Sequence, residues 1–258
     1  MVSVFEALGI FFAGLAAGTI NTVVGSGTLI TFPTLLFFGY PPVVANVSNT
    51  VGLVAGGVTA VHGYRSELEG AGRTLRKLAP ASLAGGVIGA VLLLVLPPEA
   101  FQAIVPVLIA LGLVLVVLGP RLQARAVARH EAGVAPASWH GVALTAGVLV
   151  AGIYGGYFGA AQGVILMGLM SALSSEPIQR LNGFKNVLAT IVNAVAAITF
   201  MLVAWGRIDW LVALLIGLGA FAGGFVGAKV GRRLPPLVLR GVIIVVGLVG
   251  IIKIVWFS

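Results

Sequence analysis

Amide side chains recur within or beside apolar segments of this 258-residue chain, and in the second half a lysine accompanies them. On a helix with 100° per residue, five polar residues of the second half fall within about 140° of arc. They are Asn182, Lys185, Asn186, Thr190 and Asn193. A cation one or two turns into a membrane helix needs a counter-charge, and no acidic residue lies on this face, so a transported anion would supply one. In a plainer interpretation the amides only join helices and Lys185 extends to a surface.

The first half of the chain carries related polar groups. Asn46, Asn49 and Thr50 share one helix face. A Gly-rich break, GSGT at 25–28, precedes a short apolar segment, and AAQG at 160–163 precedes another. A half-helix after such a break offers free N–H groups and a positive dipole end to an anion, although glycines also serve close packing. The candidate anion-binding residues are Asn21, Gly25, Ser26, Gly27, Thr28, Asn46, Asn49, Thr50, Gln162, Gly163, Asn182, Lys185, Asn186 and Asn193.

The acidic residues all lie at the ends of apolar segments or in loops: Glu6, Glu67, Glu69, Glu99, Glu131, Glu176 and Asp209. Cation sites and most proton relays within membranes use a buried Asp or Glu, so an anion is the favoured ligand. His62, His130 and His140 also lie near loops. We expect no enzymatic activity, metal or cofactor, because no nucleophile–base pair, metal-ligand cluster or phosphate loop is present. Tyr154 and Tyr157, beside the second break, are interpreted as structural.

The composition places these residues in a membrane. Hydrophobic residues make up 59% of the chain and charged residues 9%, whereas a soluble domain carries about 25% charged residues. Apolar segments able to cross roughly 30 Å of hydrocarbon recur along the chain, which predicts an all-α, multi-pass membrane protein. The excess of 15 basic over 7 acidic residues then indicates orientation, not nucleic-acid binding. The first segment is predicted to be a retained helix, because it lacks a basic n-region.

The apolar segments, eight to ten helical segments in total, form two sets of five. They are expected at about 4–22, 28–38, 43–61, 78–96, 100–118, 141–158, 163–174, 186–204, 210–230 and 236–256. Segments 28–38 and 163–174 are too short to span as straight helices at 1.5 Å per residue. Each is therefore expected to be broken or re-entrant near the midplane, and whether it crosses or folds back is left open.

The two sets of segments are copies of one another. At an offset of 138 residues, AGGVIGA at 84–90 matches AGGFVGA at 222–228, and LPP follows each of them. Three further glycines match at the same offset: Gly14, Gly18 and Gly25 with Gly152, Gly156 and Gly163. We predict a first membrane repeat at 1–119, a basic cytoplasmic linker at 120–138 and a second membrane repeat at 139–258.

The positive charges indicate that the second copy is inverted. The basic stretches at 65–77 and 120–138 lie two spans apart, so both can face the cytoplasm. The turn at Pro97 then lies outside. Its copy at Pro235, beside Lys229, Arg232 and Arg233, should lie inside. Inverted-topology repeats whose broken helices meet near the midplane are typical of secondary transporters.

Three motifs resemble the sulfite exporter TauE/SafE family, also called the toluene-sulfonate uptake permease family. They are GSGTLITFPTLL from Gly25, PPVVAN from Pro41 and LNGFKN from Leu181, and the resemblance extends over almost the whole chain. It implies an integral inner-membrane protein that moves sulfur-containing or related small organic anions, with the motif-bearing hairpins as the translocation core. The second break reads AAQG where the first reads GSGT, so the halves are not chemically equivalent.

We therefore expect a secondary transporter in the cytoplasmic (inner) membrane of a prokaryote. It would move a small sulfur-containing oxyanion, such as sulfite, sulfoacetate or another organosulfonate, by alternating access. A passive anion channel and a non-transporting membrane scaffold subunit are the alternatives. The expected partners are the anion and the lipid bilayer, and a homo-oligomer is left open.

Overall fold

The computed structural model describes residues 2–131, 140–231 and 236–257, which form helices joined by short turns and loops and contain no strand. The helices are α1 (Val4–Val23), α2 (Thr28–Phe37), α3 (Pro42–Gly63), α4 (Gly72–Val95), α5 (Pro98–Glu131), α6 (His140–Tyr157), α7 (Gln162–Leu173), α8 (Ile178–Val203), α9 (Trp210–Val226) and α10 (Pro236–Phe257). A 3-10 turn (Trp205–Arg207) precedes α9, and a π-helical turn (Gly227–Gly231) follows it. Seven of these helices, α1, α3, α4, α5, α6, α8 and α9, are long and apolar enough to cross a membrane. The predicted all-α, multi-pass fold is confirmed.

Three segments differ from the sequence expectation. Helix α4 begins at Gly72, six residues earlier than expected. Helix α5 continues through the first part of the predicted linker as far as Glu131, with Pro106 and Pro120 inside it. Helix α8 begins at Ile178, eight residues earlier than expected, so that Asn182 and Lys185 are helical. The rest of the linker, residues 132–139, and the turn that contains Arg232, Arg233 and Pro235 lie outside the described residues.

The helix starts follow from local sequence. Ser3 caps α1 in a capping box with Glu6, and the Asp209 side chain caps α9 by accepting the Val212 N–H at 3.0 Å. The N-caps of α3 and α8 are prolines at matching places of the two halves, Pro41 and Pro177. Proline favours a helix start because its φ is already fixed near the helical value.

Helices α2 and α7 fold back beside the helices that precede them. Phe38, after α2, stacks edge-on against Phe5 at the start of α1, with the ring centroids 6.3 Å apart. In the second half, a Cβ added to Gly147 of α6 would meet Leu169 of α7. With 10 and 12 residues, α2 and α7 are about 15–18 Å long, roughly half of the hydrocarbon thickness. Both segments therefore form hairpins with the preceding helices, α1–α2 and α6–α7, and re-entry of these hairpins at the midplane of a bilayer stays a prediction.

The two hairpins enter the helix bundle from opposite ends. The α4–α5 turn at residues 96–97 defines one end, where Pro41, Pro98 and Arg207 line a shared cleft. Tyr40 and Glu6 place the open side of the α1–α2 hairpin near this α4–α5 end, since the Tyr40 hydroxyl donates to the Glu6 carboxylate. Burial, that hydrogen bond and the nearby carboxylates raise the pKa of Tyr40 well above its ordinary value.

The connection between α3 and α4, residues 64–71, defines the other end. Arg180 at the start of α8 donates from Nε to the Glu67 carbonyl at 3.3 Å, which places the open side of the α6–α7 hairpin at this α3–α4 end. His62 at the end of α3 contacts Phe225 near the end of α9, with the ring centroids 6.2 Å apart. The ends of α3 and α9 therefore lie together.

Contacts between the halves are exchanged as a two-fold relation would exchange them. Helix α1 packs on α9, and the equivalent helix α6 packs on α4. Both crossings are close because glycine lies against backbone: Gly14 against Ile216, and Gly152 against Ser82. The inversion of the second half across a bilayer stays a prediction. It requires that the two hairpins enter the bundle from opposite ends, as they do here.

Candidate functional site

The tips of the two hairpins touch in the interior. Gly25 has a φ of 87°, a conformation that glycine adopts at little cost, and its carbonyl accepts the Gly163 N–H at 3.0 Å. A Cβ on either glycine would overlap the Cα of the other. The backbones of the two predicted breaks are therefore in direct contact, and the structure brings Gly25 and Gly163 together as one feature.

Lys185 lies beside this contact and is the only charged residue among the buried ones described, with 1% of its surface exposed. Its Nζ donates to the carbonyl oxygens of Asn21 at 3.2 Å and Thr22 at 2.9 Å. Both carbonyls belong to the last turn of α1, where they have no intrahelical donor. Lys185 therefore does not extend to a surface. Its partners in the described part of the chain are neutral carbonyl dipoles, and none of them is a carboxylate.

Amides of one half cap the first helix of the other half. Asn46 of α3 donates to the carbonyl of Tyr157, the last residue of α6, at 3.0 Å. In return, Asn186 of α8 donates from Nδ2 to the Thr22 carbonyl at 3.4 Å. These contacts agree with the plainer interpretation of the amides as joints between helices, and they hold the ends of α1 and α6 at the tips.

Asn49 of α3 hydrogen-bonds α2, the second helix of the first hairpin. Thr31 donates from Oγ1 to Asn49 Oδ1 at 2.5 Å, and Asn49 Nδ2 donates to Thr28 Oγ1 at 3.4 Å. Asn49 and Lys185 occupy matching places, eight residues after Pro41 and Pro177 respectively. At this position the first half carries an amide, Asn49, which binds the α1–α2 hairpin of its own half. The second half carries a cation, Lys185, which binds the α1–α2 hairpin of the opposite half.

The expectation of a free helix N-terminus is wrong for α7. Gly163 N–H donates to Gly25, and Val164 N–H donates to the Ala161 carbonyl at 3.0 Å. Ala161 adopts a left-handed conformation with φ of 60°, which turns the chain back and closes this end. At α2, Gly27 N–H donates to Asn21 Oδ1 at 3.5 Å, but the N–H groups of Ser26 and Thr28 have no acceptor within the described residues. The positive helix end that remains open is that of α2.

Several buried polar atoms around the tips lack a hydrogen-bond partner within the described part of the chain. They are Ser26 Oγ, Asn46 Oδ1, Tyr157 Oη, Gln162 Nε2 and Asn182 Oδ1. Buried polar atoms in native proteins are nearly always paired with protein, water or ligand. A cluster of open donors and acceptors is therefore the property expected of a polar binding site.

Two candidate residues lie apart from this cluster. Asn193 is eight residues beyond Lys185 on α8, about 12 Å along the helix axis. Thr50 donates from its hydroxyl to the Asn46 carbonyl of its own helix at 2.9 Å, so its polar group is used locally. Tyr154 donates to the Ala160 carbonyl at 2.6 Å, which agrees with its structural interpretation.

A cavity of about 210 Å³ leads from the α3–α4 end toward the hairpin tips. Pro120 and Ile178 lie at its outer part, and Val23, Val24 and Val164 lie next to the tips. Its polar lining residues are Gln179, Asn182 and Arg240. We call this cavity the Arg240 vestibule. Sequence reasoning missed Gln179 and Arg240, although a cation four residues inside an apolar segment is the signal that could have identified Arg240.

An aromatic cluster lies on the opposite side of the tips. The Phe32 and Phe158 ring centroids are 5.1 Å apart, Phe101 and Phe158 are 6.0 Å apart, and Phe101 and Tyr157 are 5.6 Å apart. Phe101 is on the first turn of α5, so this aromatic cluster lies between the tips and the α4–α5 end. The path to the tips is therefore open at one end and packed with aromatic rings at the other.

Sequence comparison identifies the architecture that carries these hairpins. The profile of the sulfite exporter TauE/SafE family matches residues 10–254. The chain belongs to this family. It is thus a multi-pass membrane transporter of a prokaryotic inner membrane.

Relatives from several bacteria extend over nearly the same length. A probable membrane transporter protein, ORF9, from Sinorhizobium sp is 28% identical over 93% of this chain and 88% of its own. The probable membrane transporter protein YfcA of Escherichia coli (strain K12) is 25% identical over 96% of this chain and 89% of its own. A probable membrane transporter protein of Haemophilus influenzae is also 25% identical, over 96% of this chain and 93% of its own. No solved structure matches the chain.

Proposed function

We propose that this transporter moves a small sulfur-containing oxyanion, such as sulfite, sulfoacetate or another organosulfonate, by alternating access. The anion would bind at the hairpin tips beside Lys185 and the start of α2. The observation that carries the proposal is the burial of Lys185 with only backbone carbonyls as partners. A buried cation without an acidic partner favours an anionic ligand, because a bound anion supplies the missing charge.

The chemistry around Lys185 supports an oxyanion. An ammonium group has three N–H donors, and two of them are used by Asn21 and Thr22. The third can donate to an anion. The N–H groups of Ser26 and Thr28 and the Ser26 hydroxyl offer further donors from the break before α2, where the positive end of the helix dipole adds attraction.

The architecture supports alternating access. The Arg240 vestibule reaches the tips from the α3–α4 end, whereas aromatic rings fill the side toward the α4–α5 end. In a transporter built from repeats, rocking of one half against the other can exchange open and closed sides around a fixed site. By the positive-inside rule, the basic residues at 65–77 assign the α3–α4 end to the cytoplasm.

A thermal-shift experiment on the purified protein tests the site. Sulfite, sulfoacetate and methanesulfonate should raise the Tm of the wild type with increasing concentration. At a ligand concentration of 100 times Kd, the free energy of unfolding should increase by about 2.7 kcal/mol. Lys185→Met should abolish this shift while the protein elutes as a folded, monodisperse species. Arg180→Gln is the matched control, since Arg180 is a cation on the same helix that also binds a backbone carbonyl. An undiminished shift in Lys185→Met would remove Lys185 from the site.

A further inference from the structure

The Arg240 vestibule contains a cation that has no acidic partner among the described residues. Arg240 is partly buried and lines the vestibule together with Gln179 and Asn182. The one salt bridge within the described residues joins Arg180 to Glu176, and Arg240 makes no hydrogen bond to a described residue. An unpaired guanidinium in a cavity with mostly apolar walls is costly unless a ligand shares the site.

The remaining polar groups of the vestibule fit the same ligand as Arg240. Asn182 lines the cavity, and its Nδ2 makes no hydrogen bond to a described residue, so its two N–H groups can donate to an anion. A guanidinium offers a planar fork of donors that matches two oxygens of one oxyanion. A cavity with one sign of charge and apolar walls also concentrates ions of the opposite sign.

We infer that Arg240, Gln179 and Asn182 form an anion recruitment site, separate from the site at the hairpin tips. The inference rests on the proposed transport of an anion and adds a second station on its path. The ligand is a small oxyanion with at least two terminal oxygens, of the sulfonate type. Asn182 lies three residues before Lys185 on α8, about 4.5 Å along the axis, so an anion released by Arg240 passes Asn182 and reaches the tips.

The internal repeat indicates that this station belongs to one side of the transporter. The residue that matches Arg240 at an offset of 138 is Gln102. Gln102 lines the cleft at the α4–α5 end, and the cation of that cleft is Arg207, from the 3-10 turn between α8 and α9. Arg207 is exposed. Of these two guanidinium groups, only that of Arg240 is partly buried in its cavity.

The native chain has no cysteine, so one introduced thiol can report the local potential without any transport. Met167→Cys places the thiol in the vestibule wall. Its labelling rate is measured with an anionic sulfonatoethyl methanethiosulfonate and with a cationic aminoethyl analogue. The ratio of the two rates cancels the intrinsic reactivity of the thiol. Arg240→Gln in this background should lower the anion-to-cation ratio more than tenfold, because a unit charge within about 8 Å has that effect at a dielectric near 20.

Arg73→Gln is the matched control, because Arg73 is an exposed cation at the same end but outside the vestibule; it should leave the ratio within about twofold. Methanesulfonate should slow labelling when Arg240 is present and lose this protection in Arg240→Gln. Arg240→Lys keeps the charge without the fork, so the ratio should persist while protection weakens. If Arg240→Gln fails to fold, the weaker protection by methanesulfonate in Arg240→Lys still tests the role of the guanidinium.

An unchanged ratio together with unchanged protection would overturn the recruitment site. Equal effects of Arg240→Gln and Arg73→Gln would overturn it as well, since they would mean a general surface potential. These rates do not depend on flux or on Lys185. Failure of the proposed function, seen as no anion-induced thermal shift in the wild type, is therefore distinguishable from failure of the recruitment site.

Discussion

Adding one methyl group at Gly163 tests whether the hairpin tips touch in the working protein. In Gly163→Ala, the new Cβ would overlap the Gly25 Cα, and it would lie 3.0 Å from Lys185 Cδ. Non-bonded carbons sit about 3.5–4.0 Å apart, so the tips must separate by about 1 Å or more. The hydrogen bond from Gly163 N–H to the Gly25 carbonyl, now 3.0 Å, would then exceed ordinary hydrogen-bond range.

The cost of this substitution follows from these two effects. Overpacking of a tight interior costs about 1–3 kcal/mol, and one lost hydrogen bond costs about 1 kcal/mol. We therefore expect Gly163→Ala to destabilise the protein by roughly 2–4 kcal/mol. Transport should fall further than stability alone implies, because Lys185 must also move away from the site.

Gly168→Ala provides the matched control on the same helix. A Cβ at Gly168 meets nothing within 4 Å, and alanine is favoured over glycine in a helix by about 1 kcal/mol. With about 2–4 °C per kcal/mol for a chain of this size, the Tm of Gly163→Ala should lie at least about 6 °C below that of Gly168→Ala. Equal Tm values together with full transport by Gly163→Ala would refute the direct contact of the tips.

Two further predictions concern the first hairpin and the topology. Asn49→Leu should lower the free energy of unfolding by about 1–3 kcal/mol, because it strands buried hydroxyls. Asn49→Leu with Thr31→Val should cost less than the sum of the single changes in a double-mutant cycle, and strict additivity would contradict the pairing. For the topology, a membrane-impermeant maleimide should label a cysteine at Glu99 from the periplasmic side, and cysteines at Glu69 and Arg232 from the cytoplasmic side. Labelling of the Glu99 and Arg232 positions from one side would contradict the inverted repeat.

The helices could be predicted well from the sequence, because hydrocarbon imposes a simple rule on apolar length. The expected segment 28–38 is observed as Thr28–Phe37, and 163–174 as Gln162–Leu173. The early start of α8 was missed because its first turns, with Gln179 and Arg180, are polar. Polar residues at a membrane surface continue a helix without any hydropathy signal.

The partners within the site were harder to predict than its residues. Lys185 was identified from its helix face, but its contacts with the carbonyls of Asn21 and Thr22 depend on how α1 ends against α8. The N–H groups at the start of α7 are occupied partly because Gly163 contacts Gly25, 138 residues earlier in the chain. This contact exists only in the folded structure. Arg240 was missed because the vestibule forms only where α10, packed on α2 and α5, faces residues of α7 and α8 across the cavity.

Flux in liposomes that contain only the purified protein tests the central claim, transport of an oxyanion at the Lys185 site, most directly. We predict uptake of radiolabelled sulfite that saturates with concentration and is accelerated by unlabelled sulfite on the opposite side. Lys185→Gln, reconstituted to the same level, should lose this exchange. Conductance without saturation or acceleration would indicate a channel, and wild-type exchange by Lys185→Gln would contradict the account.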